Sequence, residues 1–423
     1  MRRLLAIAFL LLPLAVTAQE EQQELLPSGW KVAPMPVLGY STDYGFLFGA
    51  SADLSNYGKD PSYYPGYRQK FHFEVSHFTG GRTFAGIEYD DPTLIPGVRL
   101  SVSLNAQTDP LYSFYGFGGD ITAYDRGIDR NGQTAYYSYR RSSLRFQAAL
   151  RGWLTPHLQW NAGLTFRHYR NEDISDRKYD PENTLFHTYR SLGLIRDNET
   201  AGSHLEFKGG ISLDTRDVWT APSRGVFADL FFVGAPDIFR TGYAYLQLCA
   251  HFRQYITPGP DWFTIAYHLA WQSTAAGEAP FYILNNIHSL QYTTQFSKGL
   301  GGYNTLRGLL DGRLAGDGYA WANLELRFKL FTFNLAGANC FLGINPFFDM
   351  GLITNPHRLD EIALATGRSY NELKSLATRL HKSIGAGLKF GIGDDYILSV
   401  EGGKSFNNND GPFNLAVSIN YIF

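Results

Sequence analysis

The amino-acid sequence predicts an all-β fold, a transmembrane antiparallel β-barrel of about 16 strands, from three observations. An export signal opens the chain, apolar and polar residues alternate along most of its length, and an apolar strand pattern runs to the final residue. The chain of 423 residues also contains 44 glycines and 15% aromatic residues. In an exported chain this composition leaves two broad classes, a large secreted β protein and an outer-membrane barrel.

Residues 1–18 predict a secretory signal peptide. Arg2 and Arg3 form its charged start, residues 4–16 are almost wholly apolar, and residues 16–18 fit a small-residue cleavage site. The apolar run is too short to be a retained membrane-spanning helix. We therefore expect an exported chain in the cell outer membrane of a Gram-negative bacterium.

The rest of the chain divides into two predicted segments. Residues 19–35 are expected to form a short periplasmic N-terminal segment, and residues 36–423 the outer-membrane β-barrel domain. The net charge of −2 argues against a nucleic-acid-binding surface. Cys249 and Cys340 fall in separate strand patterns, and two thiols make no disulfide scaffold, so we expect both to be unpaired.

The alternation that predicts the barrel is clearest near the C-terminus. In residues 319–330 the even positions are apolar, whereas the odd positions include Asn323, Glu325 and Arg327. In residues 413–423 the odd positions are all apolar. An apolar band on one side and charge on the other fit lipid outside and water inside. The predicted strands lie near residues 42–55, 68–78, 81–90, 97–107, 111–120, 136–150, 157–170, 203–213, 225–234, 242–256, 262–274, 319–331, 340–352, 383–393, 395–404 and 413–423.

The connections between these strands predict which end of the barrel faces outward. Short turns at residues 79–81 and 257–261 would face the periplasm, where turns of outer-membrane barrels are short. Long connections near residues 171–202, 275–318 and 353–382 would face outside. Both termini then lie in the periplasm.

The last long connection also predicts a helix within residues 358–381. Its apolar residues recur at helical spacing, and Ser369 with Glu372 forms a candidate capping box that restarts the helix after Gly367. We expect this segment to form a small lid on the barrel mouth.

The long loop between predicted strands eleven and twelve contains the strongest candidate site. Its sequence Leu306-Arg307-Gly308-Leu309 follows a glycine-rich stretch that would let the loop turn inward. Glu325 and Asp349 have lumen-facing parity on the next two strands. Because ionisable groups at membrane depth must face a wet cavity and be paired, we expect Arg307 to lie in the lumen against these carboxylates.

This set of motifs resembles the BamA/TamA-like family of outer-membrane assembly factors, the bacterial surface antigen barrels. In that family the sixth extracellular loop carries a Val/Leu-Arg-Gly-aromatic tip that pairs with a Phe-x-Asp-x-Gly strand. Here Leu309 replaces the final aromatic residue, while Phe347, Asp349 and Gly351 match the strand. A mid-barrel turn is also similar, with Asp214, Arg216, Asp217, Pro222 and Gly225. Residues 36–50 look like the first strand of the Bacteroidetes branch.

The resemblance implies a role in inserting or translocating proteins, or other clients, through a lateral seam between strands one and sixteen. One departure matters: residues 19–35 are far fewer than the roughly 40 that a domain needs to fold alone. We therefore expect a short family member without the periplasmic POTRA domains that receive clients. The alternative is a passive porin-like channel for small solutes, since a fold does not fix a function.

A third class, a membrane-embedded enzyme, finds no support in the sequence. The histidines, among them His72, His77, His168, His251 and His268, show no metal-ligand spacing. We expect no catalytic residue, no metal and no cofactor. The expected partners are outer-membrane lipid and lipopolysaccharide, with client proteins or a periplasmic partner, no nucleic acid, and a monomeric barrel.

Two further expectations concern the ends of the barrel wall. Tyr421 and Phe423 are predicted to form a C-terminal insertion signal, with Phe423 beside strand one. The predicted first strand carries Gly45 and Gly49, which pack no side chain, and Ala50. We therefore expect the first strand to be the weak side of the seam.

Overall fold

The computed structural model describes residues 28–59, 66–129, 134–335, 338–392 and 396–423. Within these residues, sixteen antiparallel strands close into one barrel in which each strand pairs with its neighbours in sequence and β16 returns to β1. This confirms the predicted fold class. No helix in the described ranges is long and apolar enough to cross a membrane. The strands are β1 Trp30–Ser41, β2 Gly45–Asn56, β3 Gln69–Phe78, β4 Thr83–Ile95, β5 Val98–Ser113, β6 Ser138–Trp153, β7 Leu158–Glu172, β8 Ala201–Asp214, β9 Gly225–Ala235, β10 Tyr245–Ile256, β11 Phe263–Gly277, β12 Gly318–Leu335, β13 Ala338–Asn355, β14 His381–Ile392, β15 Tyr396–Ser405 and β16 Asn414–Ile419.

The two faces of each strand differ as the alternation predicts. In β12, Asn323, Glu325 and Arg327 are buried in the lumen, whereas Leu324 is 40% exposed on the outer wall. Successive side chains of a strand point to opposite faces, so a period of two in the sequence separates a polar interior from an apolar exterior. The hydrophobic exterior is therefore the surface that lipid would cover.

The predicted number of strands is correct because two errors cancel: one strand was missed and another was divided into two. Residues 30–35, expected outside the barrel, belong to β1, and the predicted first strand is β2. Pro34 and Pro36 hid β1, because proline lacks the N–H that a ladder uses. The two strands predicted at 97–107 and 111–120 are the single strand β5, which continues through an irregularity in its pairing between Asp109 and Tyr112.

Because the strands alternate in direction, connections after odd-numbered strands share one end, called here the loop end. The long connections 114–137, 173–200, 278–317 and 356–380 all lie there. The other end, called the terminal end, holds both described termini and the turn at 257–262. The turn at 79–82 was predicted at the same end as the termini, but it lies at the loop end. Because β1 was missed, each strand up to β5 was numbered one too low, and the predicted ends of its connections were exchanged.

The connections at the loop end pack into an apolar cluster above the lumen. Phe114, Phe186, Phe281 and Leu373 are among its fully or nearly fully buried members. The cluster draws on several loops, so it forms a cap with its own small core. Four short α-helices lie in the described part of these connections: α1 Arg126–Asp129, α2 Leu185–Ser191, α3 Leu359–Thr366 and α4 Tyr370–Ala377.

The helix predicted within residues 358–381 is two helices, α3 and α4, separated at Gly367. Gly367 adopts a left-handed φ of +68°, which ends α3 at a residue without a Cβ. Ser369 stands at the N-cap of α4, but its side chain makes no capping hydrogen bond, and Glu372 pairs with Arg368 instead. The expected capping box is therefore wrong, because the arginine competes for the carboxylate.

Candidate functional site: the inward loop and the seam

The connection between β11 and β12, residues 278–317, folds into the lumen and is called here the inward loop. Leu300, Leu306, Leu309 and Leu314 are each buried to within 1% and pack against lumen-facing side chains of the wall. Gly308 is required at its tip, because its φ is +90° and a Cβ there would lie 2.7 Å from the Lys404 nitrogen. The inward loop is therefore seated closely on the barrel wall.

Arg307 is held at the tip of the inward loop by two carboxylates. Its Nε and Nη2 donate to the two oxygens of Asp349 over 2.9 Å each, and its backbone N–H donates to Asp349 Oδ2 over 2.9 Å. Its Nη1 lies 2.5 Å from Glu325 Oε1. The structure thus brings Arg307 together with both of the predicted partner residues in a two-pronged geometry that suits guanidinium.

The predicted Phe-x-Asp-x-Gly strand surrounds this ion pair. The Phe347 ring lies 3.6 Å from the Arg307 guanidinium carbon, so the aromatic face covers the cation. Gly351 leaves room for the loop, because a Cβ there would lie 2.8 Å from Leu306 Cδ1. Leu309, the position that departs from the family pattern, is fully buried in the cluster below the loop.

Three charged residues that the sequence reasoning did not assign to the site complete a balanced cluster. Glu401 Oε1 lies 3.3 Å from Arg307 Nη1, Lys389 Nζ donates to Glu401 over 2.8 Å, and Arg327 Nε donates to Glu325 over 2.8 Å. All three have lumen-facing parity, which was the available signal. Burial alone would lower the pKa of Arg307, but Asp349, Glu325 and Glu401 raise it well above its usual value.

The C-terminal tail, residues 420–423, enters the lumen instead of lying beside β1. β16 ends at Ile419, and Asn420 turns the chain with a left-handed φ of +67°. Arg327 Nη2 then donates to the main-chain oxygen of Phe423 over 2.7 Å, and the Arg327 guanidinium lies 3.9 Å from the Tyr421 ring centre. The placement of Phe423 against the first strand was therefore wrong.

The seam between β1 and β16 is short. Two residue pairs join the strands, Tyr40 with Val417 and Ser41 with Ala416. By contrast, β1 and β2 pair over their full length from Trp30 with Asn56 to Ser41 with Gly45. The residues on which the expected weakness rested, Gly45, Gly49 and Ala50, lie in β2 and not in β1. The short pairing of β1 with β16 is the feature that sets this seam apart.

A profile of the Omp85 superfamily domain matches residues 43–393. The chain belongs to the Omp85 superfamily. BamA from Haemophilus ducreyi lacking POTRA domains 1–3 is similar in structure, with a TM-score of 0.60 and 15% identity over 93% of this chain and 70% of that one. CdiB from Escherichia coli has a TM-score of 0.53 and 11% identity over 95% of this chain and 64% of that one.

These comparisons confirm the family resemblance that the motifs indicated. No curated protein matches the sequence. At identities of 15% and 11%, the likeness to BamA and CdiB shows the fold alone. Omp85-family barrels such as BamA are outer-membrane proteins, which places the apolar outer wall of this Omp85 barrel against lipid.

The mid-barrel turn of the Omp85 barrel, 215–224 at the terminal end, is held by its own residues. Arg216 donates to both oxygens of Asp214 over 2.9 and 2.8 Å, and Asp217 accepts from the Ser223 N–H over 3.0 Å. Gly225 has a φ of +105°, and a Cβ there would lie 2.3 Å from the Thr215 carbonyl. Pro222 lies in the same turn. The motif therefore shapes a turn and is not part of the Arg307 cluster.

A second ion cluster ties the inward loop to the cap of the Omp85 barrel. Asp120, His381 and Asp410 are buried with ligand atoms within 4.8 Å of one another, a geometry that a metal ion could use. Two arginines already lie beside the carboxylates: Arg313 Nε is 3.6 Å from Asp410, and Arg379 Nη1 is 2.9 Å from Asp120. We therefore assign this group to ion pairing that anchors Arg313.

Proposed function

We propose that this Omp85 barrel assists the insertion or translocation of client polypeptides at the outer membrane of a Gram-negative bacterium. The short β1–β16 seam carries the proposal. Among the described residues, two ladder pairs, Tyr40–Val417 and Ser41–Ala416, and the adjoining Thr42–Leu415 hydrogen bonds join the two sides of the seam, so it is the interface that would open at least cost. The similarity to BamA and CdiB supports the class of function.

The edge of β1 is the surface on which a client strand would dock. From Trp30 to Gly39, β1 pairs with β2 on one side, and β16 does not cover its other side. An uncovered strand edge presents backbone hydrogen-bonding groups that an extended peptide can use. A client strand would therefore add to β1 as a further strand of the sheet.

The inward loop would hold the opposite side of the seam in place. Ser405 N donates to the Gly308 carbonyl over 3.1 Å, and Asn414 Nδ2 donates to the Leu309 carbonyl over 2.7 Å. Tyr303 and Ser418 of β16 also hydrogen-bond through their hydroxyls. These bonds fasten β15 and β16 to the loop, so opening the seam would move β1 away from a fixed β16.

The proposal includes partners of three kinds. Outer-membrane lipid and lipopolysaccharide would cover the outer wall, a client polypeptide would occupy the seam, and a periplasmic protein would deliver the client. The barrel would act as a monomer and would catalyse no covalent chemistry.

A passive channel is the competing function. The inward loop and the cap occupy the lumen and its mouth in this structure, with Arg307 only 3% exposed between its carboxylates. Steady solute flux would require the loop to leave these contacts. The structure thus gives more support to a seam than to a pore.

A disulfide across the seam tests the proposed function. Ser41 and Ala416 are directly opposed, so a Ser41→Cys, Ala416→Cys barrel with Cys249 and Cys340 replaced by alanine should lock the seam. The matched control is Ala85→Cys, Ala106→Cys, a directly opposed pair within the longer β4–β5 interface. We expect the oxidised seam variant to lose complementation of a deletion strain, to regain it on reduction, and the control to complement throughout. A locked barrel that complements would overturn the proposal.

A further inference from the structure

If the pairing register of the seam continued past Val417, the tail, residues 420–423, would lie opposite β1. Tyr40 pairs with Val417 and Ser41 with Ala416. Extending this antiparallel register would place Pro36 opposite Tyr421 and Pro34 opposite Phe423. The tail departs from the wall over this stretch of the sequence.

The backbone of the two prolines points toward the position that the tail would take. Thr42 N donates to the Leu415 carbonyl over 3.1 Å, so even-numbered residues of β1 direct their backbone groups to β16. The pairing of β1 with β2 leads to the same assignment. Phe46 of β2 lies opposite Tyr40, but its backbone bonds to Thr79, which directly follows β3, so the backbone groups of Tyr40 are left for β16. By the same alternation, the nitrogens of Pro34 and Pro36 face the open edge.

A proline at such a position removes half of a backbone pair. Two residues that face each other in this way exchange two N–H···O bonds, and proline supplies the acceptor without the donor. The main-chain oxygens of Tyr421 and Phe423 would both lack a donor on β1. An extended seam would therefore leave two main-chain oxygens of the tail without ladder donors, so it would be weaker than a complete ladder.

The lumen offers hydrogen-bond donors to two main-chain oxygens of the tail. Arg327 donates to the main-chain oxygen of Phe423 over 2.7 Å, and Ser399 Oγ donates to the Asn420 carbonyl over 2.6 Å. The Phe423 ring lies 5.5 Å from the His268 ring, and Lys389 Nζ lies 4.5 Å from the Tyr421 ring centre. The tail thus exchanges an incomplete ladder for hydrogen bonds and ring contacts within the lumen.

We propose that Pro34 and Pro36 are positioning residues that set the length of the closed seam. By withholding two backbone donors they divert residues 420–423 into the lumen and keep the edge of β1 from Trp30 to Gly39 free. This inference concerns the seam on which the proposed function rests, and it identifies the residues that keep that seam short. Replacing both prolines by valine, which restores the donors on a lipid-facing strand position, should let the tail pair with β1.

Two disulfide yields measure where the tail lies in the folded barrel, again with Cys249 and Cys340 replaced by alanine. The pair Met35→Cys, Ile422→Cys reports a tail on β1, because the continued register opposes these residues. The pair His268→Cys, Phe423→Cys reports a tail in the lumen. In the Pro34→Val, Pro36→Val barrel we expect the first yield to rise severalfold and the second to fall by a similar factor.

The control changes residues of β1 whose nitrogens point to β2. An Ala33→Val, Val37→Ile barrel alters apolar bulk beside the prolines without adding a donor, so both yields should stay at the parent level. Each single proline variant restores one donor and gives the same test if the double variant does not fold. Unchanged yields in folded proline variants would overturn the inference. Neither yield depends on a client, so this result stands apart from the complementation test.

Discussion

Arg307 carries the buried ion pairs that join the inward loop to the wall. Its guanidinium forms ion pairs with Asp349 and Glu325, and its Nη1 lies 3.3 Å from Glu401 Oε1. These groups are nearly inaccessible to solvent, so each charge depends on its partner for the stabilisation that water would otherwise supply. Removing this one loop side chain would therefore leave buried carboxylates of the wall without their partner.

Replacing Arg307 by alanine should destabilise the folded barrel by about 3–5 kcal/mol, the usual cost of leaving a buried charge without its partner. The measurement is the temperature at which the folded band is lost on a semi-native gel. Arg224→Ala, which removes an exposed arginine at the terminal end, is the control and should leave that temperature unchanged. Equal behaviour of the two variants would contradict the role given to Arg307.

Asp43, in the turn between β1 and β2, should make stability depend on pH. Burial and the neighbouring Asp311 raise the pKa of Asp43 to about 7, while Lys298 opposes the shift. The folded barrel holds this proton more tightly than the unfolded chain, so the stabilisation is present at acidic pH and is lost as pH rises through about 7. We expect the unfolding temperature to fall between about pH 4 and about pH 7, and to fall less in Asp43→Asn.

The comparison for Asp43 is Asp261→Asn, a carboxylate whose side chain is 94% exposed. This variant should follow the parent across the same pH interval. If Asp43→Asn shows the parent's full pH dependence, the dependence comes from another group.

Among single residues, the sequence predicted the ion pair and missed the rest of its cluster. Glu325 and Asp349 stood out because a nearby loop offered an arginine, and strand parity placed them in the lumen. Glu401 and Lys389 have the same parity, but they come from β14 and β15. Parity gives the face of the barrel to which a side chain points, whereas the height at which distant strands meet depends on the stagger of the whole barrel.

At the scale of elements, the errors of prediction mark places where the backbone departs from an ideal ladder. β1 was missed because of its prolines, and β5 was divided because Pro110 stands where its pairing becomes irregular. The end of β16 was overextended because an apolar alternation continues to Phe423 after the chain has left the wall. The alternation of apolar and polar residues indicates where side chains point, whereas these three features are set by backbone hydrogen bonds.

The cap at the loop end should behave as an element separate from the barrel wall. Leu373 of α4 is fully buried in the cap, so Leu373→Ala should cost the cap about 2–5 kcal/mol. We expect faster proteolysis within residues 356–380, with the barrel still resistant to unfolding on a semi-native gel. Leu364→Ala, at a position 88% exposed, is the control. Parallel loss of cap and barrel would show that the two unfold as one unit.

At the scale of the whole molecule, the lumen is a filled interior. The inward loop supplies a buried apolar cluster and the Arg307 contacts, and the cap closes the same end. A barrel packed in this way resembles a protein core more than a conduit, and its polar wall is occupied by the chain's own loop.

Removing the loop tip should convert the filled lumen into a conducting one. A barrel in which residues 303–311 are replaced by a short glycine-serine linker should show steady conductance in planar bilayers, because the Arg307 contacts and the leucines beside them are lost. The intact barrel should show little steady conductance. The charge-neutral variant Arg307→Met, which keeps the loop, should lie between the two. Large steady conductance by the intact barrel would favour the passive channel.

The division of charge between loop and wall has a consequence for whatever takes the loop's place. Around Arg307 the wall contributes three carboxylates, Asp349, Glu325 and Glu401, and two cations, Arg327 and Lys389. The loop supplies the third cation, so the vacated Arg307 site holds one uncompensated negative charge in a confined space. Dissolved ions would screen this negative charge only where water enters the lumen. A segment that displaces the inward loop would therefore bind best with a positive charge at its tip, which would restore the charge balance of the site.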